Sequence, residues 1–185
     1  MKYPKLSFVS RMRLWCCVTL AVLSLPTQAA AGEMALGVKA AFLYNFTKFI
    51  EWPASAAPGS GDTFQLCVAG SLLDTDAISQ VLEGKTTQGK TLKVRFVSQH
   101  SELPGCHMLY STGEKPYWSD EWLAQSVHLP VVTVGEGEDF VEKGGVIGLV
   151  IVDGKVRFAI NEAKASGQDI VISSKLLSLA RRVVR

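Results

Sequence analysis

The sequence predicts the α/β class: a layered single domain with a mixed β-sheet flanked by helices. Short apolar runs with strand character recur through the middle of the chain: FQLCVAG (64–70), TLKVRFV (91–97), CHMLYS (106–111) and PVVTVG (130–135). Segments with helical spacing lie between several of them, and that alternation argues strands joined by crossovers. The chain then reverses: VIGLVIV (146–152), Asp153-Gly154 and KVRFAI (155–160) form a type I′ hairpin signature. A hairpin pairs its strands antiparallel, so the sheet is mixed, with its β-hairpin in the C-terminal half.

The first residues read as a leader. Lys2, Lys5, Arg11 and Arg13 precede an apolar run from Leu14 to Leu25, then Pro26 and small residues. Thr27-Gln28-Ala29 and Ala29-Ala30-Ala31 both have a small-x-small form. This is the pattern of a secretory signal peptide over residues 1–31, followed by one domain over 32–185. The run is too short for a membrane anchor, since a span needs about 20 apolar residues. Cys16 and Cys17 lie inside it, but the residues before them are not the small apolar set of a lipoprotein signal. Removing the four leader cations from the 19 Lys+Arg leaves 15 against 17 acids, so the charge moves from +2 to −2. That charge gives no support to a nucleic-acid partner.

VKAAFLYNFTKFIEWP (38–53) opens the domain. At 100° per residue, Val38, Ala41, Phe42, Leu43, Phe46, Phe49, Ile50 and Trp52 fall on one half of a helix, and Ala40, Tyr44, Thr47, Lys48 and Glu51 on the other. The periodicity predicts an amphipathic helix that ends at Trp52-Pro53, with Phe42, Phe46 and Phe49 inward. Lys39 intrudes near its start, and Asn45 stands at the edge of the apolar arc, either bracing a loop or facing a groove. Residues 54–62 form a loop. After the 64–70 strand comes a helix with Asp74 or Thr75 as cap, Ile78, Val81 and Leu82 as its apolar face, and Gly84 as its stop. In 91–97, Leu92, Val94 and Phe96 alternate with Lys93 and Arg95. Residues 117–126 read as a helix capped by Ser119, and 138–145 as a short helix with a glycine stop. Residues 161–167 make a helical turn or two, 169–173 a last strand, and SSKLLSLARRVV a C-terminal helix capped by Ser173 or Ser174.

Cys67 and Cys106 remain once the leader is set aside. In an exported chain an even pair reads as a disulfide, with two separate buried thiols as the alternative. No CxxC or HxxxH spacing accompanies them, which disfavours a metal site. His100, His107 and His128 are not brought together by the sequence. Ser71 lies between a strand and a helix but lacks the G-x-S-x-G context of a nucleophile elbow. Ser173-Ser174-Lys175 is explained by a helix cap. VTVGEGEDF follows a strand, but its spacing is not GxGxxG, and Glu136, Glu138 and Asp139 would repel a phosphate. The sequence therefore predicts neither an enzyme nor a cofactor.

VKAAFLYNFTKFIEWP, LCVAG with Cys67, CHMLYS with Cys106, PVVTVGEGEDFVEKGGVIGLVIVDGKVRFAIN and ISSKLLSLA, in that order, resemble the YfiR-like family of exported proteins. The resemblance covers about residues 34–182. It implies a periplasmic regulator that restrains an inner-membrane diguanylate cyclase through its periplasmic sensing domain, with an outer-membrane lipoprotein able to sequester the repressor. It also implies a homodimer and a family disulfide that Cys67 and Cys106 fit. The best-known members carry a second cysteine pair before the hairpin. VEKGGVIGLV has none, which weakens a redox-sensing role. The alternative function is a small-ligand-binding sensor subunit acting on a membrane sensor kinase. Candidate partner- or ligand-binding residues are Tyr44, Asn45, Lys48 and Trp52 on the first helix, and Arg157, Ser174, Lys175 and Arg181 in the C-terminal third. The basic, apolar end SLARRVVR is either a docked helix with solvated arginines or a surface for an acidic partner.

Overall fold

The computed structural model describes residues 28–56, 63–112 and 120–185, with side chains from 36 in the first stretch and from 122 in the last. The signal-peptide reading up to residue 27, the loop at 57–62 and the Ser119 cap lie outside the described residues. The chain divides into two compact units, Met1–Gly32 and Glu33–Arg185, and the sheet with its core belongs to the second.

The elements run α1 (Gln28–Phe46), β1 (Ile50–Glu51), β2 (Thr63–Ala69), α2 (Leu72–Leu82), β3 (Thr86–Thr87), β4 (Lys90–Val97), β5 (Met108–Ser111), α3 (Asp120–Ser126), β6 (Val132–Glu136), β7 (Ile147–Val152), β8 (Lys155–Asn161), α4 (Glu162–Ser166), β9 (Val171–Ile172), α5 (Ser174–Leu179) and β10 (Arg182–Val184). Single 3₁₀ turns stand at His100–Glu102 and Glu138–Phe140. The main sheet has the order β10-β8-β7-β6-β5-β2-β4-β3. Strands β4, β2, β5, β6 and β7 are parallel neighbours, and the β7–β8 hairpin turns the sheet mixed. Its turn residues Asp153 and Gly154 have φ of 50° and 69°, as a type I′ turn requires. β1 and β9 form a separate antiparallel pair.

Alternation along the strands divides the interior in two. Phe64, Leu66 and Val68 of β2, with Met108, Tyr110, Val132, Val134, Ile147, Leu149, Phe158 and Ile160, line one face under α1 and α2. Cys67, Ala69, Val97 and Leu109 line the other, under Leu103, Cys106, Trp122 and Leu129. Crossing from β2 to β4 through α2 covers the first face. The crossovers that step from β4 through β5 and β6 to β7 cover the second.

Four sequence expectations are corrected. The first helix ends at Phe46, and Ile50 and Trp52 are buried by strand alternation about exposed Glu51. Its buried stripe is also rotated: Ala40, Leu43 and Thr47 are fully buried, whereas Val38 is 43% exposed and Ala41 lies outward. Small Ala40 lets the backbone approach the sheet, and Thr47 hydrogen-bonds Thr87 across the contact. Second, the cap of α2 is Ser71, whose Oγ accepts from the Asp74 N–H, and Val81 lies at the solvent edge while Thr75 is buried. Third, 138–145 is a 3₁₀ turn followed by tight turns. Phe140 anchors it by filling a socket of Gly135 and Gly145 beneath the second face, and Gly148 lies against the Gly137 carbonyl beside it. Fourth, the C-terminal helix stops at Leu179, and the β-branched Val183-Val184 continue as a strand parallel to β8.

The glycine socket yields a packing test. A Cβ on Gly145 would overlap the Phe140 ring, which is 4% exposed. Gly145→Ala should cost about 1–3 kcal/mol by overpacking. In a Phe140→Ala background, itself destabilised by about 3–5 kcal/mol, the same change should cost much less. Urea denaturation of the four proteins measures this, and additive costs would refute the socket.

Candidate functional site

Among the described residues, the polar chemistry gathers in five places. At the carboxyl end of the parallel strands, Tyr110 Oη donates to Glu136 Oε1 at 2.5 Å, and Lys39 Nζ pairs with the same oxygen at 2.9 Å. Burial, and then the Glu136 carboxylate, hold the Tyr110 phenol far above its ordinary pKa. Beside it, Thr112 Oγ1 donates to Asp74 Oδ2 at 2.6 Å, and Gly70 (φ 154°) passes so close that any side chain would strike Thr112. Strand order reverses here between β2 and β5, the position where open α/β sheets place ligands. Here the groups bond one another and lock α1 and α2 to the sheet. Lys39 therefore pairs with a carboxylate instead of extending into water.

At the opposite end of the strands, His107 stacks on Phe64 at 4.9 Å and its Nδ1 accepts from the Gln65 N–H at 2.9 Å. Trp52 donates its indole N–H to the His107 carbonyl at 2.9 Å and meets Phe64 edge-on. Trp52 is 8% exposed, so this candidate binding residue is a core residue with its polar atom satisfied. His100 follows β4 and packs on Trp122, so it lies at the far end of the strands from His107, and His128 is exposed. Ser71 and Ser173 cap α2 and α5.

Cys67 and Cys106 are bonded, with their Cα atoms 5.8 Å apart. Cys106 lies in the turn before β5, not in the strand, and the bridge ties the 98–106 loop down onto β2. Arg95, the register neighbour of Cys67, lays its Nη2 against both sulfurs at 3.5 and 3.3 Å and donates to the Glu102 carbonyl at 2.9 Å.

The remaining candidates divide between two exposed surfaces. Tyr44, Asn45, Lys48 and Lys175 lie around the end of α1 and the start of α5. Tyr44 Oη donates to the Thr86 carbonyl, the Lys48 ammonium sits 4.0 Å from the Tyr44 ring centre, and Lys175 sits 5.4 Å over Phe49. Asn45 is exposed and its side chain meets Lys48 at 3.5 Å, so it does not brace the core. Ser174 is the exposed first residue of α5. Arg157 and Arg181 lie far along the chain from that group and share a groove of about 380 Å³ with Val152, Asp153, Lys155 and Leu179. Sequence reasoning missed Lys155 and Leu179. Lys155 and Arg157 are two apart on one strand, so period-two alternation places both on one face, and that signal was available.

The family model described as YfiR/HmsC-like matches residues 37–181. The chain belongs to the YfiR/HmsC-like family. The match begins inside α1 and ends at Arg181, so it includes the disulfide, the hairpin and the groove. No curated protein matches. Two solved structures are similar to the chain. A conserved domain protein from Vibrio cholerae O1 biovar El Tor N16961 superposes with a TM-score of 0.51 at 10% identity, over 80% of this chain and 60% of that one. An ABC domain from Streptococcus pneumoniae in complex with L-Trp gives 0.47 at 12% identity, over 65% and 55%. The chain thus spans less than two thirds of either, and the likeness to the Vibrio protein shows fold alone.

Both the bridge and His107 have measurable consequences. The native protein should show no titratable thiol at Cys67 or Cys106, and reduction should lower stability by about 4 kcal/mol, the loop entropy of residues 67–106. Denaturant midpoints with and without dithiothreitol measure it. Burial holds His107 below the ordinary histidine range. The unfolded chain therefore takes up the proton first, so the contribution is complete above about pH 6.5 and declines as pH falls below it. His107→Asn, which keeps an acceptor for Gln65, should flatten the stability–pH curve in that window. An unchanged slope would exclude His107 as its source.

Proposed function

We propose that this chain is a periplasmic regulator that binds and represses the periplasmic sensing domain of an inner-membrane diguanylate cyclase, lowering cyclic di-GMP. Family membership over residues 37–181 carries the reading, because a YfiR/HmsC-like match suggests a periplasmic regulator in cyclic di-GMP signalling. Residues 1–31 serve on this reading as the export signal and 32–185 as the working domain. No helix among the described residues is long and apolar enough to cross a membrane. The fold's polar groups support a binding role. Glu136, Asp74, His107, Ser71 and Ser173 are committed to neighbouring side chains or to backbone, while cations and apolar side chains stand exposed on the hairpin and on α1. Sequestration by an outer-membrane lipoprotein and self-association belong to the same proposal.

Deletion of the gene should raise cellular cyclic di-GMP severalfold and increase surface attachment, and export of the chain from a plasmid should reverse both. The purified chain should bind the cyclase's periplasmic domain directly in a calorimetric titration. Unchanged cyclic di-GMP on deletion, or no binding, would remove the cyclase from the proposal.

A further inference from the structure

The second face of the sheet is not covered along its whole length. The disulfide-tied loop and α3 cover β4, β2 and β5, and Phe140 covers β6 and the start of β7. Beyond Phe140 no further layer covers this face of the β7–β8 hairpin among the described residues. Register pairs Val150 with Arg157 and Val152 with Lys155 on this face. The chain leaving α5 crosses beside them, with Leu179 62% exposed, and Ile151 on the opposite face is 58% exposed. A groove of about 380 Å³ lies between Val152, Lys155, Arg157, Leu179 and Arg181.

The charges around this groove are of two kinds. Arg181, Arg182 and Arg185 are paired with Glu138, Glu142 and Glu162, and these pairs fasten the C-terminal strand to its neighbours. Lys155 and Arg157 are exposed and meet no acid among the described residues, although they project from the same rigid hairpin. Asp153 is the acid among the lining residues, and it stands at the hairpin tip.

We infer that the groove between the β7–β8 hairpin and Leu179 is the surface that receives the partner, and that it takes an acidic segment of a protein. That segment carries a carboxylate for Lys155 and Arg157 and an apolar side chain that enters between Val152 and Leu179. The inference rests on the cyclase reading for the partner's identity and adds where and by what chemistry it is held. A concave, partly apolar groove with an acid at its tip suits a peptide segment that places its charges, whereas a uniformly anionic lipid surface would meet Asp153 first. The period-two spacing of the two cations matches an extended segment lying along β8.

The test titrates the oxidised full chain with the cyclase's periplasmic domain at low and high salt. Lys155→Glu/Arg157→Glu and, separately, Leu179→Ser should each weaken binding roughly tenfold or more, and wild-type binding should fall as salt rises. Unchanged circular dichroism and melting temperature establish that the variants are folded. If Lys48→Glu/Lys175→Glu weakens binding instead, or neither pair does, the partner sits elsewhere and the inference is overturned. It is equally overturned if the hairpin variants lose only cosedimentation with phosphatidylglycerol vesicles. Should the wild-type chain not bind the cyclase domain, the cyclase reading falls, and the groove is judged by complementing the deletion strain's altered transcript profile. A hairpin variant exported at the wild-type level that restores the profile overturns it, and one that fails to restore it supports it.

Discussion

The fold depends on burying both faces of β2. This strand is flanked on both edges by parallel neighbours, and Phe64, Leu66, Cys67, Val68 and Ala69 are all at or near zero exposure. A strand so placed needs a layer above and a layer below. The layer on one side is made of helices, where α1 brings Leu43 and Phe46 and α2 brings Ile78 and Leu82. Each such side chain contributes about 1.5–3 kcal/mol on burial. The layer on the other side is thin. Between β4 and β5 the connection is one 3₁₀ turn and a loop, which cannot bury enough apolar surface to hold itself in place. The Cys67–Cys106 bond supplies what packing does not, and Arg95 bridges the sulfurs to the loop's carbonyls. The one disulfide bond among the described residues is thus placed where the layer is thinnest.

The same constraint explains the polar junctions. Helix α1 crosses the carboxyl end of the sheet, where strand carbonyls and loop termini leave little apolar surface. Lys39, Glu136 and Tyr110 fasten it there, and Gln88 fastens its other end by donating to the carbonyls of Thr47 and Ile50 at 2.6 and 2.7 Å. Gln88 has φ of 51°, a left-handed backbone that swings its amide back beneath the helix end. Truncating such a group leaves buried carbonyls unpaired, which costs about 1–3 kcal/mol each. These contacts place Tyr44 and Lys48 on the outside of α1 as a consequence of how its end is held.

What the sequence makes legible follows the strength of its local signals. The strands, the mixed sheet and the Asp153-Gly154 turn rest on period-two alternation and turn chemistry, which act over a few residues. The first helix exposes the limit of that approach. Helical periodicity places Phe46 inward, as it is, but it also runs on through Ile50 and Trp52. Those two are buried by a strand that exists only because β9 returns to pair with it. The C-terminal helix fails similarly. Arg181, Arg182 and Arg185 look like a solvated helix end until Glu138, Glu142 and Glu162 are known to stand opposite them. Trp52 suggests a binding residue by its size and polar tip, yet its indole N–H is committed to a carbonyl 55 residues away. Partners so distant in sequence leave no local pattern.

The hairpin is where the two-layer constraint relaxes. Phe140 can cover β6 and β7 only because Gly135 and Gly145 leave room for its ring, while Gly148 lies under the Gly137 carbonyl. Past Gly148 the strand carries Val150 and Val152, and no room remains for a second ring. The second layer therefore ends at a defined register position, and the type I′ turn extends the hairpin beyond it. Burying the far half would require either more chain or another molecule. The exposed Leu179 would be a solubility cost in a domain with no use for it, and the cations beside it offset that cost in water. Paired with carboxylates from outside, the same cations would turn a solubility device into a recognition device. This coupling of apolar surface to unpaired charge sets the hairpin apart from the α1 surface, where Lys48 and Lys175 already lie over aromatic rings. Charges that a fold has left unpaired beside apolar surface can select a partner. Charges already engaged with their own rings must first give up those contacts.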